Sequence, residues 1–267
     1  MGAIVGFLGY GRMAQAISEG LDKSGLAPYK RQLASDVAKA SLAKLREKRG
    51  FAEARDNVQL VAKSPIVVIA VKPHQVRGVL SEVGDGMAGK LVISIAAGVT
   101  LATLADHVHQ EASIVRVIPN LPALIGEGVT LLAAQPKTDE HDLENARKVF
   151  SAVGEVYDVP ESLFNEGTAV SGSGPAYFFL VMEAMVRAAV RLGIPWDLAR
   201  KLVAKTCQGA GATAMARPGI GLAELRDQVT SPGGTTAEGL LALERGGLTS
   251  LFHDAVKAAS DRGKALS

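Results

Sequence analysis

The opening of the chain limits its fold more than any other stretch. Ala3-Ile4-Val5-Gly6-Phe7-Leu8 is short, apolar throughout and β-prone, the pattern of a parallel strand buried on both faces. It runs directly into Gly9-Tyr10-Gly11-Arg12-Met13-Ala14, and Ala16–Leu21 continues as a helix. Strand, G-x-G-x-x-A turn and helix in that order are the setting in which the dinucleotide fingerprint has a physical meaning. Gly9 makes the tight turn, Gly11 lets the backbone approach a pyrophosphate, and Ala14 permits close packing of helix on strand. A chain that starts this way is expected to build an open α/β sheet.

The alternation continues. Arg31–Ser35 reads as a second strand, with Ser35 and Asp36 at its end, where the ribose-reading residue of such a site belongs. An acid there favours a free 2′-hydroxyl and hence NADH. Ser35, Lys39 and Arg31 suit a 2′-phosphate instead, and the residues leave both open. Ala38–Arg49 is helical, and Ile66–Val71 is an all-apolar strand that Pro73 stops, which puts Lys72 at a carboxyl strand edge, where open α/β sheets bind ligands. Val76–Val83 and Thr100–Val108 read as helices. Leu91–Ile95 and Ser113–Ile118 read as strands that run into Ala96-Ala97-Gly98 and Pro119-Asn120-Leu121-Pro122. Thr130–Ala133, the helix Asp139–Val153 and Val156–Val159 complete the set, and right-handed crossovers would place everything in one doubly wound sheet.

Composition narrows the function classes. With 48% hydrophobic and 21% charged residues, the chain is globular. The net charge of +2 comes from interspersed signs, and the densest basic run, Lys39–Arg49, has no interleaved aromatics, so no nucleic-acid partner is expected. The single cysteine, Cys207, lies in a helical stretch, excludes an internal disulfide, fits a reducing compartment and reads as a buried structural thiol. Met1–Leu8 is too short for a signal peptide and lacks its basic flank, and Tyr177–Leu192 is broken by Glu183, Arg187 and Arg191. No membrane partner is expected, and the protein is expected in the cytoplasm. The five histidines show no metal-ligand spacing, His107 and His109 facing different sides of a helix, so no metal site is expected.

After about Glu161 the period becomes helical only. Ser171-Gly172-Ser173-Gly174-Pro175 reads as a helix start. In the helix that follows, Glu183, Arg187 and Arg191 make one narrow polar stripe, so most of the circumference is apolar and must be buried on several sides. Pro195–Met215, Leu222–Gln228, Thr236–Arg245 and Leu248–Ala265 are further helices. Such a half is expected to share its core with a second subunit as a homodimer. Val229-Thr230-Ser231-Pro232-Gly233-Gly234-Thr235-Thr236 is a hydroxyl- and glycine-rich turn ahead of a helix. Thr235 or Thr236 can cap that helix. With nothing negative in Ser231–Thr236, its free N–H groups suit a small anion such as a carboxylate.

Taken together, Gly6–Ala14, Ala70-Val71-Lys72-Pro73, Ser94–Val99, Arg116-Val117-Ile118-Pro119-Asn120, Ser171–Tyr177 and Leu225-Arg226-Asp227 through Val229–Thr236 resemble the pyrroline-5-carboxylate reductase family over essentially the whole chain. The resemblance implies a Rossmann domain over residues 1–160 and an all-helical dimerisation and substrate domain over residues 161–267, with five dimers joining into a larger assembly. It implies reduction of 1-pyrroline-5-carboxylate to L-proline, the last step of proline biosynthesis, with NADPH or NADH. Cofactor contacts fall to Leu8, Gly9, Tyr10, Gly11, Arg12, Met13, Ser35, Asn57, Ala70, Val71, Lys72, Pro73, Ile95, Ala96, Ala97 and Asn120. Substrate contacts fall to Ser231, Gly233, Gly234, Thr235, Thr236 and Glu161. Ser231 and Thr236 are the catalytic candidates, Thr236 reaching the ring nitrogen. Ile118 stands where methionine is usual, and Gln228 where some members carry an asparagine. A reductase of another small cyclic imine or keto acid is the nearest rival, and a catalytically silent dinucleotide-binding dimer the next.

Overall fold

The computed structural model describes residues 5–266; Ala3 and Ile4 of the expected first strand lie outside the described residues. One eight-stranded sheet carries the first part of the chain. In chain order its strands are β1 (Val5–Leu8), β2 (Gln32–Ser35), β3 (Ala52–Glu53), β4 (Ile66–Ile69), β5 (Leu91–Ser94), β6 (Ser113–Pro119), β7 (Gly128–Ala134) and β8 (Gly154–Asp158). The helices between them are α1 (Arg12–Lys23), α2 (Lys39–Arg49), α3 (Asn57–Lys63), α4 (Pro73–Val83), α5 (Leu101–Ala105) and α6 (Glu140–Ser151).

The strands lie in the order β3-β2-β1-β4-β5-β6-β7-β8. Every pair is parallel except β6 and β7. That exception corrects the expectation of crossovers throughout. The link between β6 and β7 is a short 3-10 turn, Leu121–Ile125, and a connection without a helix reverses the strand. The short β3 and the helix α3 were not foreseen in the sequence; β3 is only two residues of edge strand. His107 and His109 lie in the turn after α5, not on it, because the helix stops at Ala105.

Continuous apolar runs form the inner strands because both faces are covered. Leu8, Val67, Ile69 and Val92 point into one core layer, and Phe7, Val68, Leu91 and Ile93 into the other. Burying a side chain of this size removes it from water for about 2 kcal/mol each.

The helices of the second part are α7 (Phe164–Gly167), α8 (Gly174–Arg191), α9 (Trp196–Ala216), α10 (Leu222–Asp227), α11 (Thr235–Arg245) and α12 (Leu248–Leu266). The helix α8 starts at Gly174 with Pro175 in its first turn, where the Ser171–Pro175 signal puts it, while Glu161–Leu163 and Thr168–Gly172 add short 3-10 and π turns upstream that were not foreseen. By contact density the chain makes two compact units, one ending at Ser173 and taking in the chain from Ala259, the other Gly174–Ala258.

In the second unit only Val186, Ala199 and Val203 form a buried apolar cluster. Phe178, Phe179 and Leu180 on α8 are each more than half exposed, so the single chain does not bury that helix on several sides as expected. Among the described residues that apolar surface stays exposed. Cys207 is half-buried, not the buried thiol expected.

Candidate active site

The site is built where β1 meets its glycine turn. Gly9 has φ +88°, and a Cβ there would sit 2.9 Å from the Ala70 carbonyl and the Val71 nitrogen, so only glycine fits. Its N–H donates to the Ser35 carbonyl at 2.8 Å, fixing the turn against β2. Gly11 is the N-cap of α1 in an extended conformation, and a Cβ there would meet nothing within 4 Å. Nothing within the described residues therefore demands glycine at this position. The first-turn N–H groups of α1 have no intrahelical acceptor, and that turn carries no acid.

In front of this turn lies a cavity of about 970 Å³. Its walls are the glycine turn, the end of β2, the start of α3 and the strand ends at Ala70–Pro73 and Ile95–Ala97. All of the expected cofactor residues line it except Tyr10 and Asn120. The Tyr10 ring packs in the core against Phe7 and Phe51, with centroids 5.8 and 4.5 Å away, and its hydroxyl meets Ser18 at 2.5 Å. Burial pushes the Tyr10 hydroxyl pKa up. Asn120 is buried between backbones: its Nδ2 donates to the Ser171 carbonyl and its Oδ1 accepts the Val129 N–H, both at 2.9 Å. It ties the link after β6 to the end of the π-turn Thr168–Gly172.

Arg31 lies off the cavity, while Arg55, Gln75, Glu82, Leu121 and Leu124 line it and were missed. Arg55 had a signal: Asp56-x-x-Gln59 is a helix-start pattern, and Asp56 does accept the Gln59 N–H at 2.7 Å, which places Arg55 at the mouth of a loop. Nothing in sequence marked Leu121 or Leu124.

Glu161 is not a free carboxylate. Its Oε1 accepts from Arg116 Nη1 at 2.7 Å and from the Leu101 N–H at 2.8 Å, and the Arg116 guanidinium lies 4.6 Å from the Phe164 ring centre. It ties the start of the helical stretch to β6 and α5, behind the turn that presents Ile95–Ala97.

Ser231–Thr236 sits in the second unit. Gly233 has φ +66°, and Gly234, not a threonine, is the N-cap of α11, with no side chain capping it. Its N–H donates to the Ser231 carbonyl at 3.0 Å, and a Cβ on Gly234 would overlap Ser231 Oγ. Thr235 and Thr236 become the first two helical residues, which leaves their N–H groups without intrahelical acceptors. Asp139, His141 and Asp142 bring ligand-type atoms within 4.8 Å of one another, a grouping the histidine spacing did not suggest. There Asp139 Oδ1 accepts the Asp142 N–H at 2.8 Å, as a helix cap does.

A Rossmann sheet with a glycine-lined cleft, followed by an all-helical unit, defines a dinucleotide-dependent oxidoreductase of two-domain type. Residues 4–98 match the family model described as NADP oxidoreductase, coenzyme F420-dependent, and residues 161–266 that described as pyrroline-5-carboxylate reductase dimerisation. A pyrroline-5-carboxylate reductase of Methanosarcina acetivorans is 41% identical over 98% of this chain and 97% of its own. One from Arabidopsis thaliana is 35% identical over 98% and 95%. Among solved structures, a pyrroline-5-carboxylate reductase from Coxiella burnetii superposes with a TM-score of 0.93 at 37% identity, covering 100% of this chain and 99% of that one. One from Plasmodium falciparum with NADP bound gives 0.89 at 29%, covering 99% and 98%. The chain belongs to the pyrroline-5-carboxylate reductase family and is an NAD(P)H-dependent oxidoreductase that forms homo-oligomers. The stretch Glu161–Arg191, long and apolar enough by composition to cross a bilayer, falls within the dimerisation match.

Proposed function

We propose that this chain reduces 1-pyrroline-5-carboxylate to L-proline, with NADPH as the hydride donor, as a soluble enzyme of the cytoplasm. The observation that carries the reading is the full-length match: both the glycine-turn unit and the helical unit align with proteins of that name. The cavity fits a dinucleotide, because Gly11 faces open space and the first turn of α1 offers unpaired N–H groups to a pyrophosphate. When bound, the nicotinamide supplies a hydride.

The chain's own residues bind and orient. Lys72, Pro73 and Ile95–Ala97 line the cavity wall at the carboxyl strand ends. The N–H groups of Gly233, Thr235 and Thr236, at the positive end of α11, hold the substrate carboxylate together with the Ser231 hydroxyl, while the Gly234 N–H keeps the turn closed on the Ser231 carbonyl. The Thr236 hydroxyl oxygen accepts a hydrogen bond from the ring N–H. The substrate enters as the iminium, so C5 gains the hydride while nitrogen keeps its proton, and no strong acid is required of the protein. Orientation to about 3–3.5 Å from the donor carbon is then the main protein contribution. The exposed face of α8 supports a dimer through residues 161–267, and the family resemblance supports five such dimers in the full assembly. Glu161 acts from behind the cofactor wall.

The test is loss of reduced-nicotinamide absorbance on mixing NADPH, enzyme and pyrroline-5-carboxylate. Rapid loss is expected. Tight NADPH binding without turnover would redirect the assignment to another cyclic imine or a keto acid.

A further inference from the structure

We propose that Tyr10 is a positioning residue: its hydroxyl, relayed through Ser18 to Gln32, fixes the direction in which the glycine turn faces a dinucleotide pyrophosphate. The inference rests on the dinucleotide reading above. Tyr10 is the one residue with a side chain in Gly9-Tyr10-Gly11. Gly9 stands at φ +88° and an added Cβ on Gly11 would meet nothing within 4 Å, so the turn needs a tie from elsewhere to keep a single shape.

Core filling accounts for the ring between Phe7 and Phe51, but not for the hydroxyl. A phenylalanine would fill the same space, and a buried hydroxyl costs stability unless it is bonded. The Ser18 hydroxyl gives its one proton to Gln32 Oε1, so its oxygen accepts the Tyr10 proton at 2.5 Å. Gln32 Nε2 then donates to the Ala27 carbonyl at 2.6 Å and to the Ser18 carbonyl at 2.9 Å. Tyr10, Ser18 and Gln32 are each at most 3% exposed, and they stand on the glycine turn, α1 and β2. Each proton in this relay has an acceptor, and a fully satisfied buried network of that kind is rigid.

The backbone of the same residue is held as well. The Tyr10 N–H donates to Asp36 Oδ2 at 2.7 Å, and its carbonyl accepts from Gln15 Nε2 at 3.0 Å. With hydroxyl, N–H and carbonyl all engaged, Tyr10 fastens the turn to α1 and β2 together. The first-turn N–H groups of α1 then keep one direction before any ligand arrives. Such preorganisation reduces the ordering that binding would otherwise have to impose on the turn.

The test is fluorescence titration of the full-length protein with NADPH, run well below the melting midpoint of every variant so that each sample is folded. Tyr10→Phe keeps the ring and removes the hydroxyl, and Ser18→Ala removes the next link. Each is expected to raise the NADPH Kd about three- to tenfold, and the double variant to be little worse than either, because both cut one relay. A hydroxyl that only supports the fold would lower the melting temperature and leave Kd unchanged, and that result would overturn the proposal. Two effects that multiply in the double variant would overturn it too, since the links would then act separately. Failure of the wild type to bind NADPH would instead remove the dinucleotide reading beneath it.

Discussion

Gly9 and Gly11 stand two residues apart in one turn and are glycine for opposite reasons. Gly9 is forced by the protein, through a positive φ and a backbone 2.9 Å from any added Cβ; Gly11 meets no such demand from the protein, and on the proposed dinucleotide reading its open face is where the pyrophosphate docks. Gly9→Ala should therefore destabilise the fold by about 1–3 kcal/mol, read as a lower melting temperature. Gly11→Ala should melt like the wild type yet lose NADPH binding by fluorescence titration. Equal melting losses in both would contradict this division. Thr236 carries the substrate-side prediction. Thr236→Ala removes one positioning hydrogen bond and should lower kcat about ten- to hundredfold with an unchanged circular dichroism spectrum. Unaltered turnover would take the ring nitrogen away from this hydroxyl.

Single elements are held by a few polar ties. The Arg116 side chain is 4% exposed, so Glu161→Ala would strand a buried cation and should cost about 2 kcal/mol in denaturant unfolding. Arg116→Met combined with Glu161→Leu should lose less, because no charge is then left unpaired. The end of α12 is tied to α7 by Lys264 and Glu166, 2.6 Å apart. The Lys264 hydrogen bond lowers the Glu166 pKa, and the same bond raises that of Lys264. A lowered carboxylate pKa contributes stability above the ordinary glutamate range and loses it as pH falls through the folded value; a raised lysine pKa loses its share only at strongly alkaline pH. Lys264→Gln should thus lower stability at neutral pH and make no difference in acid, where the carboxylate is protonated. A destabilisation that persists in acid would show that Lys264 acts through packing.

The whole molecule is completed by a second copy. Its Rossmann unit buries two full core layers, whereas residues 174–258 hold one small apolar cluster and leave Phe178, Phe179 and Leu180 exposed. A surface of that kind is unstable in water unless covered. Leu180→Glu should shift sedimentation toward monomer at micromolar concentration and reduce activity with it. A fully dimeric Leu180→Glu protein would place the interface on another face of the helices.

By itself the sequence determined what is local. Val5–Leu8, Ile66–Ile69 and Leu91–Ser94 are strands because runs of small and branched apolar residues pack well between two helical layers, and the glycine turn follows because no other residue bears its φ. The helices from Trp196 to Leu266 were equally legible, since their apolar period needs no distant partner to be seen. Tertiary structure decided the rest. Strand β7 turned antiparallel because the link from Pro119 to Gly128, built around one 3-10 turn, is too short for a helical crossover. Tyr10 went to the core and Asn120 to a backbone brace because their neighbours in space, Phe51 and Ser171, lie far away in the chain. Asp36 stands where the sequence leaves a ribose contact open, and the fold gives it the Tyr10 N–H on one oxygen and the Ala38 N–H on the other. Residue type sets which bonds a side chain can make, but only the folded chain sets which partner reaches it first.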